Sequence, residues 1–305
     1  MRKLYLAVIC ISWVVMLSAA ACGAQSANQG NGNGSDHTQA KPLTGSAKDL
    51  ERARFTNSAH IDNRWLPFTP GTQFVYEGSA LTDGKDRQSR RVVTTVTDLT
   101  KVIGGVRVLV ISEKDYTAGQ LSEPELAFFA QDDAGNVWLF GEYPEEYENG
   151  KFDKAPAWIN GQKGARAGVT MPADPQVGTP AYAQGYSPPP VDFSDHAKVY
   201  KTGQQTCVPV DCYDNVLVTE EFNPDEPDAY QLKYYAPGVG NVRVGWRGKK
   251  EEEKETLQLT DYRHLSPEAL AKVRKDAMEM DQRAYERSEA YQGTQPAKRT
   301  LRAGQ

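Results

Sequence analysis

The feature that most constrains the fold is a succession of short apolar, β-branched and aromatic runs that fills residues 66–265. Such runs favour strands, and the short glycine-containing connections between some of them favour hairpins. In the last run, Leu257 and Leu259 alternate with polar residues, as in a strand with one buried and one solvated face. The sequence therefore predicts a mainly β domain over 49–265, an antiparallel meander that forms a curved sheet or a partly closed barrel.

An acidic segment within this region, FAQDDAGNVWLFGE at 129–142, is open to two interpretations. The adjacent Asp132 and Asp133 could belong to a metal loop or to a catalytic acid pair. A calcium loop needs more oxygen ligands at regular spacing, whereas aspartate and glycine between two apolar runs are typical of a hairpin turn. The segment is therefore predicted to be two strands joined by a turn that the aspartates form.

The segment 266–292 has a helical pattern. Ser266 suits the N-cap and Pro267 the first helical position. Apolar residues recur at steps of three and four and form one stripe: Leu270, Val273, Ala277, Met280 and Ala284. This pattern predicts a C-terminal α-helix whose stripe packs on the sheet. The alternative is a helix that binds a protein partner, whose identity the sequence does not give, and residues 293–305 are predicted to be a disordered tail.

The region 144–190 interrupts the strand pattern with many prolines and glycines. A loop region of this length in a compact domain is usually functional or disordered. Several apolar and aromatic residues within it, such as Trp158 and Tyr182, would be exposed if the whole region were disordered. We therefore expect a partly ordered loop region with few strands.

The first 21 residues have the layout of a secretory signal peptide, with a basic start, an apolar run over 4–17 and small residues after it. This run is too short for a comfortable bilayer span. Ala19-Ala20-Ala21-Cys22 resembles a bacterial lipobox, in which the cysteine receives diacylglycerol and begins the mature chain; the alternative is ordinary signal-peptidase cleavage. Residues 22–48, rich in Gly, Asn, Ser and Gln, are predicted to be a flexible tether. The prediction is an exported protein held at the extracytoplasmic face of the cell membrane by lipid on Cys22.

The cysteines fit this location. Loss of Cys10 with the signal peptide leaves Cys22, Cys207 and Cys212 in the mature chain. An odd number in an exported protein needs an explanation, which lipidation of Cys22 provides. Cys207 and Cys212 are close in sequence and would lie in an oxidising compartment, so a disulfide is predicted between them. A metal site is the weaker alternative, because two thiolates alone cannot complete a tetrahedral zinc shell.

Charge and motifs exclude several classes of function. The formal net charge is −5 and no basic stripe is present, which argues against nucleic-acid binding. The sequence has no HExxH and no GxSxG, and the glycine-rich segment at 238–243 lacks the third glycine of a dinucleotide fingerprint. We therefore predict no catalytic residue, no cofactor and no bound metal.

Aromatic residues in the strands, with nearby acids, are the remaining candidates for function. A curved sheet with an aromatic concave face, closed by a helix, would form a pocket for an apolar small molecule. The candidate ligand-binding residues are Trp138, Phe140, Glu142, Asp174, Tyr234 and Tyr235. The leading hypothesis is a non-enzymatic, membrane-anchored binding or scaffold domain. The alternative is an extracytoplasmic hydrolase with paired carboxylates near Glu142 and Asp174; otherwise the acids of 142–148 are expected to form a solvated loop.

Four motifs resemble, in this order, a set of uncharacterised secreted bacterial lipoproteins: PGTQFVYEG (70–78), AQDDAGNVWLFGE (130–142), MPADPQVG (171–178) and YYAPGVGNV (234–242). The resemblance covers the chain from Asn63 to about Leu265. After MPADP this chain has AYAQGYSPP where the set tends to have a charged, aromatic run. The resemblance implies export and a shared β-rich fold, without an established activity.

Overall fold

The computed structural model describes residues 43–81 and 87–300. Strands dominate it and form one antiparallel, nearly closed barrel-like sheet, with a helix on the C-terminal side. The predicted fold class, a mainly β antiparallel meander with a C-terminal α-helix, is confirmed. The predicted signal peptide 1–21, Cys22 and the tether as far as residue 42 lie outside the described residues.

The strands follow one another with mostly short connections. They are β1 (Thr72–Ala80), β2 (Gln88–Ile103), β3 (Val106–Thr117), β4 (Gln120–Gln131), β5 (Val137–Pro144), β6 (Glu146–Glu148), β7 (Lys151–Lys154), β8 (Trp158–Ile159), β9 (Arg166–Met171), β10 (Tyr182–Ala183), β11 (Gly185–Tyr186), β12 (His196–Cys207), β13 (Cys212–Phe222), β14 (Tyr230–Ala236), β15 (Gly240–Arg247), β16 (Thr256–His264) and β17 (Lys298–Arg299). The helices are α1 (Ala47–Arg52), α2 (Pro267–Arg287) and α3 (Glu289–Gln292). Among the described residues, no helix is long and apolar enough to cross a membrane.

Two meanders and a short bridge close the sheet. Strands β1 to β5 pair in sequence order, as do β12 to β16, and β16 pairs with β1. The gap between β12 and β9 is bridged by residues 182–186, because β10 pairs with β12 and β11 pairs with β9. Gln184 lies between these two short strands and donates its N–H to the carbonyl of Asp195 at 2.8 Å. The sheet therefore curls almost completely round on itself.

The region 144–190, expected to contain few strands, contains β6 to β11. Trp158 of β8 stacks on Phe193, with 4.9 Å between the ring centroids. Gly168 of β9 allows the bridge to approach, since a Cβ there would lie 2.3 Å from the backbone of Gln184. The prediction of few strands was wrong because these strands have only two to six residues each. β6 and β7 pair with each other in a separate two-stranded sheet, whereas β8 and β9 pair with β5 and β10 pairs with β12.

Strands β3, β4 and β5 are buried on both faces, so the solvated face that the sequence predicts is missing there. On β3, Leu109 and Ile111 belong to the core inside the barrel, whereas Val108 and Val110 belong to a second core outside it. Burial on both faces explains the apolar runs within these strands, such as LAFFA in β4 and VWLF in β5.

Helix α2 covers this outer face with the stripe that the sequence predicts. Leu270, Ala277, Met280 and Ala284 are buried along it, and the last three belong to the second core. The hydroxyl of Ser266 accepts the N–H of Ala269 at 3.2 Å and caps the helix as expected. Because this stripe is buried against the sheet, a protein partner would have to bind another face of the helix.

Ion pairs fasten the C-terminal elements to β2. The Nζ of Lys101 lies 2.9 Å from Oδ1 of Asp281 in α2, and the lysine side chain has no exposed area. Asp98 lies 2.6 Å from Arg274 of α2 and 3.0 Å from Arg299 of β17. The helix is therefore held by charge as well as by apolar packing.

Both ends of the ordered domain extend further than the sequence indicates. The predicted tether reaches residue 48, yet Ser46 caps α1 and the carbonyl of Thr44 accepts the N–H of Ala183 at 2.9 Å. The predicted disordered tail begins at 293, yet β17 pairs with β2. The domain therefore includes residues 43–48 and 293–300, and both boundaries are corrected.

The turn between β4 and β5 is the one that the sequence predicts. The two strands pair as far as Gln131 and Val137. One carboxylate oxygen of Asp132 accepts the N–H groups of Ala134 and Asn136, and the other accepts the indole N–H of Trp138. Asp132 is thus a turn former, whereas the carboxylate of Asp133 accepts the N–H and the hydroxyl of Thr56 at 2.9 and 2.7 Å.

The predicted disulfide is also present. Cys207 and Cys212 are bonded to each other. They are opposite residues at the end of the hairpin that β12 and β13 form. The bond therefore closes this hairpin.

Candidate functional site

A cavity opens into the interior of the barrel-like sheet. The space within the cavity and at its mouth amounts to about 620 Å³, and this volume includes open solvent. Strands from both meanders line it, together with the segment before β1: Leu66, Phe68, Phe74, Tyr76, Thr94, Ile111, Glu113, Glu125, Ala127, Phe129, Thr170, Lys233, Tyr235, Gly240 and Asn241. Its wall has an apolar part and a polar part.

Alternation along β3 and β4 creates this division. Every second pair of opposite residues on β3 and β4 shares one face of the sheet. Along this face the pairs are Leu109 with Phe129, Ile111 with Ala127, Glu113 with Glu125, and Asp115 with Glu123. Side chains paired in this way lie about 5 Å apart at Cβ. The first two pairs belong to the interior core, and the next pair lines the cavity. The interior therefore changes from apolar to acidic along the strands.

Asn63 holds the segment that closes the apolar part. Its Oδ1 accepts the N–H groups of Trp65 and Leu66 at 2.8 and 3.1 Å. Further along this segment, the ring of Phe68 packs edge-on against Phe129, with 5.1 Å between centroids. An apolar group placed against this wall would be stabilised by about 25 cal/mol for each Å² removed from water.

The polar part is built on Glu113 and Glu125. The hydroxyl of Thr94 donates to Oε2 of Glu113 at 2.6 Å. Lys233 reaches the cavity from β14, and its Nζ lies 2.7 Å from Oε2 of Glu221. Two carboxyl groups and one ammonium group therefore line the cavity, and the ammonium group has an ion pair with Glu221.

Burial and mutual repulsion favour the protonated form of the acids in this part. The pKa of Glu125 is raised well above its usual value by burial first, and then by the negative charge of Glu142. Burial also raises the pKa values of Glu123 and Asp115, with neighbouring acids adding to the effect and Arg90 opposing it. These shifts are typical of like charges that share a site of low dielectric constant.

Arg90 is a cation within the acidic end. Its side chain is 2% exposed, and it lies 3.8 Å from both Asp115 and Glu255. Its Nη1 donates to the hydroxyl of Thr117 at 2.6 Å. Contacts of 3.8 Å are too long for hydrogen bonds. Burial raises the pKa of Glu255 to about 7, against the opposing charges of Arg90 and Lys233.

Two polar side chains of the cavity wall have atoms without a hydrogen-bond partner in the described part of the chain. They are Oγ1 of Thr170 and both side-chain polar atoms of Asn241. Thr170 is 4% exposed and Asn241 is 8% exposed. A buried polar group left unpaired costs about 1–3 kcal/mol. Such groups indicate a place where a ligand or water completes the bonding.

The structure places one of the predicted ligand-binding residues, Tyr235, in the cavity wall. Trp138 and Phe140 belong instead to the second core, outside the barrel. Tyr234 is half-buried beneath the guanidinium group of Arg243, at 5.1 Å from its ring centroid. Neighbouring residues of a strand point to opposite faces, so adjacent aromatics could not all face one cavity.

Glu142 and Asp174, the pair of the hydrolase alternative, lie apart. Asp174 is exposed and follows β9, whose Met171 is opposite Val137 at the start of β5. Glu142 is buried near the other end of β5, where it accepts the indole N–H of Trp158 at 2.9 Å. Five residues of strand span about 16 Å. A hydrolase that uses these two acids together is therefore not supported.

Of the acids of 142–148, only Glu148 is exposed as the predicted solvated loop requires. Glu142, Glu145 and Glu146 are buried. Glu145 lies 3.2 Å from Arg283 and 2.9 Å from Arg287, both in α2. The prediction was wrong because the helix and the sheet enclose these side chains.

The sequence analysis did not identify the four acids at the polar end of the interior: Glu113, Asp115, Glu123 and Glu125. A signal was present, since acids two residues apart in a strand share a face. What the sequence does not give is the register that sets the two acid pairs opposite each other. Within residues 43–81 and 87–300, no group of three or more His, Cys, Asp or Glu side chains is arranged to hold a metal ion.

Comparison with known proteins adds two solved structures of low similarity. One, from Bacteroides fragilis NCTC 9343, is described as an exported protein with a YmcC-like fold. It is 15% identical in sequence and has a TM-score of 0.40, and the match covers 66% of this chain and 99% of that one. The other, described as a lipoprotein from Parabacteroides distasonis ATCC 8503, is 13% identical, with a TM-score of 0.37, over the same shares. No protein-family model and no curated protein matches the chain. Similarity of this size carries no argument about function, which must come from the cavity.

Proposed function

We propose that the chain is an exported, lipid-anchored protein whose barrel-like domain binds a small molecule in the cavity. The cavity itself carries the proposal, because an apolar wall lies beside Glu113 and Glu125 and beside polar groups of Thr170 and Asn241 that find no hydrogen-bond partner among residues 43–81 and 87–300. Unfilled volume and unpaired buried polar groups both cost free energy. A core built for stability alone would avoid them, and a ligand would compensate for both.

Features of the sequence support the cellular location. The apolar run over 4–17, the small residues after it and Cys22 have the order of a lipoprotein signal. Two motifs that resemble uncharacterised secreted lipoproteins also contribute to the cavity wall: PGTQFVYEG provides Phe74 and Tyr76, and YYAPGVGNV provides Tyr235 and Asn241. We propose that the chain belongs with those lipoproteins and that these motifs serve ligand binding.

Mass spectrometry of an organic extract tests ligand binding. The full chain with Cys22→Ser, purified without detergent, should yield one organic molecule at close to one per protein. Ala127→Phe places a ring in the cavity, which Ala127 lines, and should reduce the amount about tenfold, because the ligand and the ring would compete for one space.

Ala271→Phe is the matched control, since it adds the same ring at an exposed position of α2 and should leave the amount unchanged. An empty extract from folded protein would refute the proposal. So would an equal amount of ligand in Ala127→Phe and wild type.

Fractionation tests the anchor. The wild-type chain should stay with membranes through a high-salt wash, and Cys22→Ser should move to the aqueous fraction, because no acyl chain can then be attached. Cys10→Ser, within the apolar run of the signal, is the control and should remain membrane-bound. Membrane retention of Cys22→Ser would exclude lipid on this cysteine as the anchor.

A further inference from the structure

The two parts of the cavity differ in chemistry, and the difference defines a class of ligand. Phe68 and Phe129 form an apolar wall, and Glu113 and Glu125 form an acidic one. We infer that the ligand is a cationic amphiphile, with an apolar body against the first wall and a protonated amine beside the two carboxyl groups. The inference rests on the proposed function and specifies the chemical class of the ligand.

The charge balance of the cavity favours a cation. Glu113 and Glu125 lie directly opposite each other on β3 and β4; Lys233 lines the cavity with them and also has an ion pair with Glu221 at 2.7 Å. Other acids whose charges act on Glu125 are Glu142, Glu123 and Asp115. Coulomb energies are large where the dielectric constant is low, so a positive group placed here would favour the ionised form of these acids and would be attracted by it. An anionic ligand would gain no ionic partner from the acids.

Hydrogen-bonding groups in the wall match an ammonium group. A primary ammonium donates three hydrogen bonds. Beside the carboxyl groups, the cavity offers Oγ1 of Thr170 and Oδ1 of Asn241, which are buried and find no partner in the described residues. Tyr76, which donates to the main-chain carbonyl of Asn241 at 2.9 Å, lines the same cavity. The neutral acceptors and the two acids therefore share one cavity wall.

Binding of an amine should also release protons. Burial first, and then the charge of Glu142, raise the pKa of Glu125, so protein without ligand holds carboxyl protons to a higher pH than usual. A positive charge nearby favours the ionised form of a carboxyl group. A neutral alcohol lacks this effect. Proton release therefore distinguishes a bound ammonium group from a bound hydroxyl group.

Isothermal titration calorimetry with hexylamine, hexan-1-ol and hexanoate tests the inference. The protein is the chain over residues 22–305 with Cys22→Ser, which keeps every described residue. At pH 7.5, hexylamine should bind at least about tenfold more tightly than hexan-1-ol, the difference expected between charge-assisted and neutral hydrogen bonds. Hexanoate should bind more weakly than the alcohol. Titration in two buffers of different ionisation enthalpy should show proton release for the amine and none for the alcohol.

Glu125→Gln and Glu113→Gln should each weaken hexylamine binding about tenfold and leave hexan-1-ol binding within about twofold, because only the charge is lost. Glu77→Gln is the matched control, since the Glu77 side chain is 55% exposed, and it should change neither affinity.

Three results would overturn the cationic-ligand inference and leave ligand binding itself intact. They are equal affinities for hexylamine and hexan-1-ol, wild-type affinity of Glu125→Gln for hexylamine, and absence of hexylamine binding by refolded protein from which the co-purified ligand has been removed. If no probe binds and the organic extract is empty, the proposed function itself fails.

Discussion

Replacing Lys101 by methionine is expected to lower the free energy of unfolding by about 3–5 kcal/mol, because the carboxylate of Asp281 is then buried without its cation. The Nζ of Lys101 lies 2.9 Å from Oδ1 of Asp281. It also donates to the hydroxyl of Tyr285 at 2.9 Å and to the carbonyl of Gln295 at 2.7 Å. Methionine retains the apolar stem of lysine and none of these contacts. Urea unfolding at pH 7, followed by circular dichroism, measures the loss.

Lys114→Met is the matched control. Lys114 also joins the sheet to α2, at 2.9 Å from Asp276, but the two side chains are 35% and 39% exposed. A pair exposed to this degree is screened by water and contributes less than about 1 kcal/mol. Combining Lys101→Met with Asp281→Leu removes both buried charges and should recover much of the loss. If Lys101→Met and Lys114→Met lowered the free energy of unfolding equally, the buried ion pair of Lys101 would not contribute more than the exposed one of Lys114.

The strands show how far a local pattern predicts this fold. In β16, Leu257 and Leu259 are buried and Gln258 is exposed, as the alternation predicts. In β3 the alternation disappears, because α2 and its neighbours cover the outer face. A single strand does not encode what will cover its second face. The same limit applies to residues 182–186, whose short strands exist because β9 and β12 provide partners on either side.

The candidate site shows the limit at the level of single residues. The aromatic and acidic composition of the chain indicates a pocket, and Tyr235 does line the cavity. The charged residues that line the cavity beside Tyr235 could not be predicted from the sequence. Glu113 and Lys233, for example, come from β3 and β14, which are far apart in the order of strands in the sheet. Their encounter depends on the register and closure of the whole sheet, which are long-range properties.

The domain is expected to be most stable near pH 5 and to lose stability as the pH rises to 8. Burial raises the pKa of Glu255 from an ordinary value of 4.5 to about 7. Stability from a raised pKa is fully present below the unfolded value and is lost as the pH rises through the folded value. At about 1.4 kcal/mol per pKa unit, Glu255 alone lowers the free energy of unfolding by about 2–3 kcal/mol between pH 5 and 8. Asp115, Glu123 and Glu125 act in the same direction, because their pKa values are also raised.

The acid side of this optimum has the opposite cause. Burial opposes ionisation of Asp98, but hydrogen bonds and charges from Arg274 and Arg299 lower its pKa below the ordinary value. Glu145 is lowered in the same way, because the arginines of α2 outweigh its burial. Stability from a lowered pKa is present above the unfolded value and is lost as the pH falls through the folded value. The ion pairs that hold α2 should therefore weaken below about pH 4.

Urea unfolding at intervals from about pH 2.5 to 8 measures this profile, and Glu255→Gln separates its causes. Glutamine cannot titrate, so the loss between pH 5 and 8 should shrink by about 2–3 kcal/mol, while the loss on the acid side stays. Glu77→Gln, at an exposed position of β1, should reproduce the wild-type profile. A wild-type profile that is flat or rises from pH 5 to 8 would contradict the protonated acidic interior. If Glu255→Gln kept the full wild-type slope, the loss would have to come from the acid pairs of β3 and β4 or from Glu251, whose pKa burial also raises to about 7.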